Sequence, residues 1–234
     1  LQYLVSYAFY KTLTDIAFES NGYLAAPQDQ FNRRQQKTIA PTDVPQRLVI
    51  SYSYEMPWGK GKRFLNSGIP GRVFGGFSVA AIHTYQSGSP IRITIPNNLP
   101  IFGGQLRPNQ VLGVPVRLGP GRGGFQPFNS LSGQTGDLYL NRDAFAIPAP
   151  FTLGNLGYVL PNVRTFGSAG EDLSLVKKTY FAETRSFEFR ADAFNAFNRR
   201  NLNGLVTDLS NPNFGRYTGQ GGARVVQLGF RLDF

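Results

Sequence analysis

Six stretches of this chain alternate apolar and polar residues with a period of two, the mark of strands with one face against an apolar medium. The last is the plainest. In "ARVVQLGFRLDF", Val226, Leu228, Phe230, Leu232 and Phe234 share one parity, and Gln227, Gly229, Arg231 and Asp233 fall between them. The first stretch sets Leu1, Tyr3, Val5, Tyr7 and Phe9 against Gln2, Ser6, Ala8 and Tyr10. The second sets Leu48, Ile50, Tyr52, Tyr54 and Met56 against Arg47, Val49, Ser51, Ser53 and Glu55. In the third, Phe77, Val79, Ala81, His83 and Tyr85 oppose Ser78, Ala80, Ile82, Thr84 and Gln86. The fourth, "EDLSLVKKTYF", alternates less cleanly. The fifth places Phe187, Phe189, Ala191 and Ala193 opposite Glu188, Arg190 and Asp192. Strands are therefore expected at 1–15, 46–57, 72–95, 171–181, 186–197 and 223–234.

The connections between these strands alternate in length. Residues 16–45, 96–169 and 198–222 read as long loops, the second rich in Gly, Pro and Asn. Residues 58–71 and the "AETR" at 182–185 read as short turns. Long loops on one side and short turns on the other predict an all-β, antiparallel up-and-down meander of the kind found in outer-membrane barrels. The long loops are then external and the short turns periplasmic.

Composition sharpens this picture. Charged residues make up only 16% of the 234-residue chain, against about a quarter in soluble domains. The 20 Phe and 11 Tyr gather near strand ends. Tyr54, Trp58, Tyr180, Phe181, Phe187, Phe230 and Phe234 lie toward the short turns, and Tyr85 and Phe197 toward the long loops. Two aromatic rims suit the two interfaces of a bilayer. No apolar run is long enough for a transmembrane helix, and no signal-peptide pattern is visible. With no Cys, a disulfide frame and a Cys-based metal site are excluded. The net charge of +10 is scattered over loops without a stripe or a nucleic-acid-binding motif, so nucleic acid is not an expected partner.

Charge inside the strands points to a watery interior. Glu188, Arg190 and Asp192 recur at every second residue, and Arg231 and Asp233 do the same in the last strand. All five are candidate lumen-facing residues. Leu228 and Phe230 are then assigned to the outside, and Gln227 and Arg231 to the lumen. A tilted membrane strand needs about 9–11 residues, and transmembrane barrels begin at about eight strands. The sequence is therefore expected to be part of a larger barrel, since an open sheet edge in hydrocarbon leaves backbone groups unpaired.

The segments "DVPQRLVISYSYEMPWGKGKRFLN", "GGFSVAAIHTYQSGSPIRITI", "DLSLVKKTYFAETRSFEFRADAFNAFNRRN", "NPNFGR" and "VVQLGFRLDF" resemble the C-terminal barrel portion of TonB-dependent outer-membrane receptors. The likeness is to the Oar-like group that carries a carboxypeptidase regulatory domain. It runs over the whole chain and is densest at 43–95 and 170–234. The resemblance implies a bacterial outer-membrane location, a barrel of about 22 strands and an N-terminal plug that has no counterpart here. It implies uptake of an unidentified siderophore, saccharide or peptide, driven through TonB. It also implies that Phe230, Leu232 and Phe234 form the terminal signal read by the barrel-assembly machinery.

Other motifs carry little. "GPGRGG" at 119–124 fits G-x-G-x-x-G but lacks the strand before and the helix after that a dinucleotide site needs; it reads as a flexible external loop. Glu188 and Asp192 flank Arg190 on one strand face, which suits a charge ladder better than paired catalytic carboxylates. His83 is the only histidine, has no triad partners, and falls on the apolar face. Asp15, Asp29, Asp43, Asp137 and Asp143 are dispersed without EF-hand spacing. No catalytic residue, metal site or cofactor is expected. Two other readings stay open: a secreted β-sandwich that binds glycans, expected to be soluble without detergent, and a passive porin or adhesin barrel.

Overall fold

The computed structural model describes residues 1–15, 17–18, 24–25, 27–29, 31–97, 99, 106–129, 131–181 and 185–234. The period-two segments form six strands: β1 (Gln2–Phe9), β2 (Gln46–Glu55), β3 (Phe77–Gln86), β4 (Ser168–Tyr180), β5 (Ser186–Phe194) and β6 (Val225–Asp233). They pair in chain order, each antiparallel to the next, in one sheet. The expected up-and-down meander is therefore present. Strand lengths of 8 to 13 residues bracket the about 9–11 that cross a bilayer when tilted.

Register decides which side chains share a face, because directly paired residues point the same way. One row runs Tyr3, Tyr52, Ala81, Leu173, Ala193, Val226 across all six strands. The next toward the turns runs Tyr54, Val79, Leu175, Ala191, Leu228, and beyond it lie Phe77, Lys177, Phe189 and Phe230. The apolar parity of every strand thus meets on a single face. Two charges interrupt that face near its rims: Glu171, paired with His83 at the loop end, and Lys177, paired with Phe77 at the turn end. They account for the imperfect alternation of the fourth segment. The opposite face is concave, with a hollow of ≈ 540 Å³ lined by Gln2, Leu4, Ser51, Ser174, Arg190 and Asp192 among others.

The strand ends differ from expectation in several places: the third strand stops at Gln86, the fourth starts at Ser168 and the fifth stops at Phe194. Pairing in β1 stops at Phe9, and Leu13–Thr14 pairs instead with Thr38–Ile39 in a separate ribbon. The residues before β3 are not strand: a helix, α1 (Gly68–Phe74), occupies part of the expected turn and the start of the expected 72–95 strand. Pro70 is tolerated there because it lies in the first turn, where its missing N–H costs no helical bond. Gly76 ends the excursion. It holds φ at 74°, and a Cβ would stand 2.0 Å from the Lys178 carbonyl oxygen, so only glycine lets the chain enter the sheet here. Of the expected 182–185 turn, residues 182–184 lie outside the described residues; Phe181 N–H donates to the Arg185 carbonyl across it (3.2 Å).

The larger departure is the location of the packed core. The sequence marks residues 16–45, 96–169 and 198–222 only as long external loops. In the structure they fold together at one end of the sheet into a cap whose buried residues include Ile91, Ile93, Phe125, Leu140, Phe145 and Phe214. Ile91, Ile93 and Ile95 fall outside β3 and supply this core. Residues 119–124 form an exposed turn on the cap, in which Gly124 N–H donates to Gly121 (3.1 Å), and the adjoining Phe125 is 0% exposed. Leu202–Leu205 and Tyr217–Gln220 pair as a short ribbon within the expected 198–222 loop. No helix among the described residues is long and apolar enough to cross a membrane.

Candidate functional site: the concave face beneath the loop cap

The concave face gathers the charged residues of three adjacent strands. Register places Lys178, Glu188 and Arg231 in one row, and Ser174, Asp192 and Gln227 in another. Between them Arg190 stands opposite Gly229. Arg190 Nε donates to both carboxylate oxygens of Asp192, at 2.9 and 2.7 Å. Arg231 Nε donates to Asp233 at 2.8 Å, and Ser186 Oγ donates to the other Asp233 oxygen at 3.1 Å. The Lys178 ammonium lies 4.0 Å from Asp233. Thus all five charged residues singled out by parity, Glu188, Arg190, Asp192, Arg231 and Asp233, lie on the face opposite Leu228 and Phe230. They form a mixed-sign, half-open surface rather than an acid–base pair. Such pairs stay solvated and contribute little to stability, about 0–1 kcal/mol each. Their effect is to keep this face wet.

The convex face has the opposite chemistry. Tyr3, Val5, Leu228, Phe230 and Leu232 are all more than half exposed. In water each would forfeit about 1.5–3 kcal/mol of burial. Among the described residues no second sheet covers this face, as the β-sandwich reading requires. His83 stacks between Tyr52 and Tyr85, with ring centroids 5.7 and 6.5 Å away, and makes no catalytic constellation. No three His, Asp or Glu side chains gather to hold a metal ion among the described residues. Phe230 packs on Phe187 and Phe189 (6.0 and 5.2 Å between centroids), while Phe234 is 92% exposed past the end of β6.

The cap holds its position by polar contacts that strand parity does not reveal. Asp43 is 0% exposed; it accepts from Thr12 N–H (2.6 Å) and from Arg164 Nη2 (2.5 Å), whose Nη1 also donates to the Gly88 carbonyl (3.3 Å). Glu171, also buried, accepts from Arg199 Nε at 3.0 and 3.3 Å. Arg122 donates to the Arg200 and Gly167 carbonyls and to Asn201 Oδ1 (3.1, 3.0 and 2.8 Å). At the centre, Phe125, Tyr139, Phe166 and Tyr217 form an aromatic cluster with centroids 4.8–6.1 Å apart. Burial pushes the Tyr217 phenol up to about 12. Burial, helped by nearby Arg92, lowers the Arg107 guanidinium to about 10. Sequence reasoning missed this assembly. Its one legible trace was the alternation Ile91, Ile93, Ile95, which continues past the end of β3.

A single-layer sheet with rings on its convex side, charges in its hollow and a folded cap at one end has the form of a wall between lipid and water. Residues 1–227 match the family model described as "Outer membrane beta barrel domain". No curated protein and no solved structure matches the chain. With that match covering nearly the whole chain, the protein belongs to the outer membrane beta barrel domain family, whose place is the bacterial outer membrane.

Proposed function

We propose that this barrel wall serves ligand uptake, as part of a TonB-dependent receptor rather than an open pore or an enzyme. The observation that carries the reading is the cap. Loops that only connect strands have no need of a shared aromatic core and buried ion pairs such as Asp43–Arg164, whereas a receptor must hold a shaped surface over its lumen. The charged hollow below it supports the same reading, because a hydrophilic ligand needs a wet path. In this scheme the cap captures a siderophore, saccharide or peptide. A plug supplied by the rest of the receptor closes the lumen, and TonB opens it. The barrel-assembly machinery reads Phe230, Leu232 and Phe234. The convex face meets lipid, with the capped end outside the cell and the turns in the periplasm.

The test is conductance. The full receptor, purified from outer membranes and placed in a planar bilayer, is expected to stay closed, and to open when mild denaturant displaces the plug. A steady open channel without denaturant would overturn energised uptake in favour of a passive porin.

A further inference from the structure

We infer that the β2–β3 connection, built around α1, is an interfacial anchor that docks on anionic phospholipid headgroups at the turn end of the barrel. The inference rests on the reading of the convex face as the lipid face. Three observations place the segment there. Lys177 belongs to the convex face, paired with Phe77 and Phe189. Its ammonium lies 4.8 Å over the Phe77 ring and donates to the Val73 carbonyl at the end of α1. The helix therefore abuts the outward side of the sheet, beside its apolar band, and not the hollow.

The segment is folded rather than slack. Trp58 and Phe64 form a bridge, Phe64 N–H donates to Pro57 and Gly59 N–H to Phe64 (3.0 Å each). Gly71 is buried, where a Cβ would meet the Leu65 carbonyl at 2.4 Å. Yet its large apolar side chains point away from this small frame: Ile69 is 78% exposed, and Phe64, Val73 and Phe74 about half. A compact unit that leaves its apolar side uncovered next to a membrane wall is completed by the membrane itself.

Charge selects the lipid. From Met56 to Phe77 the sequence holds Lys60, Lys62, Arg63 and Arg72 and no acidic residue. Among the described residues only Lys62 is neutralised, by Glu55 at 2.9 Å. Lys60, Arg63 and Arg72 are exposed, and Arg63 lies over the Phe64 ring (5.3 Å). Apolar side chains at headgroup depth with unpaired cations around them fit a phosphate-bearing, net-negative surface. The single tryptophan of the sequence, Trp58, is a little over a third exposed in the same unit, as suits an interfacial ring.

The test uses the absence of cysteine. Ile69→Cys and, separately, Leu228→Cys are introduced into the full receptor, with any cysteine outside these 234 residues replaced by serine, and labelled with an environment-sensitive fluorophore. The protein is then reconstituted in vesicles carrying headgroup spin-labelled phosphatidylglycerol or phosphatidylcholine. The label at 69 should be quenched by both lipids, and at least about fivefold more efficiently by phosphatidylglycerol, the factor one basic side chain near an anionic surface is worth. Adding Lys60→Glu, Arg63→Glu and Arg72→Glu should erase the preference while leaving Leu228 shielded from water. An unquenched label at 69 beside a lipid-shielded Leu228 overturns the anchor and leaves the membrane wall standing. Equal quenching by the two lipids overturns the anionic selectivity. A water-exposed Leu228 overturns the lipid-face reading, and the anchor with it.

Discussion

Two regions of this molecule use the same apolar residues in opposite senses. In the cap, Phe125 and Leu140 are 0% exposed and pack inward on one another's neighbours. In the sheet, Phe230 and Leu228 are 69% and 62% exposed and point outward. The cap is folded by water, which drives its rings into a closed core. The sheet is folded by its backbone hydrogen bonds and by lipid, so it presents outward the apolar side chains that a soluble protein would hide. Hydrophobic content alone cannot tell the two apart. The distinction lies in periodicity: the sheet strands alternate, broken on the apolar face by Glu171 and Lys177, whereas apart from Ile91, Ile93 and Ile95 the cap residues are irregularly spaced.

The comparison predicts that truncating a ring has different consequences in the two regions. The largest effect is expected in the cap. Phe125→Ala removes the ring at the centre of the aromatic cluster and should cost about 3–5 kcal/mol, the range for large-to-small core changes. Hydrogen exchange should rise across 125–166 and 214–217 while the sheet stays protected. Uniform loss of protection in both regions would show that cap and sheet are one cooperative unit.

Next comes a charge on the convex face. Leu228→Arg should cost roughly 2–4 kcal/mol in a bilayer if it lies near the midplane, whereas Gln227→Arg, one residue away on the concave face beside Asp192, should be almost neutral. The folded fraction of both variants in bilayers measures the difference. A reversed order would mean that the face assignment is inverted, because the side-chain period is two.

A smaller effect is expected from Tyr217→Phe. The Tyr217 hydroxyl accepts from Phe166 N–H at 3.0 Å, and losing that bond inside the cap should cost about 1 kcal/mol. The same residue gives the cap an alkaline limit. The folded phenol is raised to about 12 from an ordinary value of about 10. Its contribution is therefore fully present below pH 10 and is lost as pH rises through 12. Burial also raises Tyr139, so phenolate absorbance should lose its latest step, and not every late step, in Tyr217→Phe. If the step near 12 persists in the variant, another tyrosine carries it.

The smallest change is expected for Glu188→Gln. Glu188 sits between Lys178 and Arg231 on the open concave face, so stability should move by no more than about 0.5 kcal/mol. A loss above that in a bilayer unfolding measurement would mean that the hollow is drier than its charges suggest.

The strands and their facing were legible because each strand repeats a two-residue rule several times. Even the pairing order followed from the connections. The strand ends were less so. "PIRITI" continues the alternation beyond Gln86 but belongs to the cap, since Leu160 N–H donates to Ile91 and Thr94 N–H to Thr207 (2.8 and 3.1 Å) instead of to a sheet neighbour. Helix α1 was hidden by its composition: seven residues with two Gly and a Pro give no helical period. The cap core was hidden for a different reason. Its members come from distant turns, and nothing local marks Phe125 as buried and Leu131, 98% exposed, as not. The five lumen-candidate charges could be placed by parity, whereas Asp43, Glu171 and Arg122 could be recognised only once their partners were in view.

The cap's ties also limit how this protein can be rebuilt. Arg164 reaches back 121 residues to Asp43, and Gln28 Nε2 reaches forward 126 residues to the Gly154 carbonyl (2.7 Å). The three long connections are therefore not separate accessories mounted on a common barrel. Exchanging one of them for a foreign loop would strip the others of buried partners such as Asp43 or Phe125. New recognition on this scaffold has to be transplanted as a matched set of loops, or introduced through exposed positions such as Leu112, Leu131 and Phe151, leaving the shared interior unchanged.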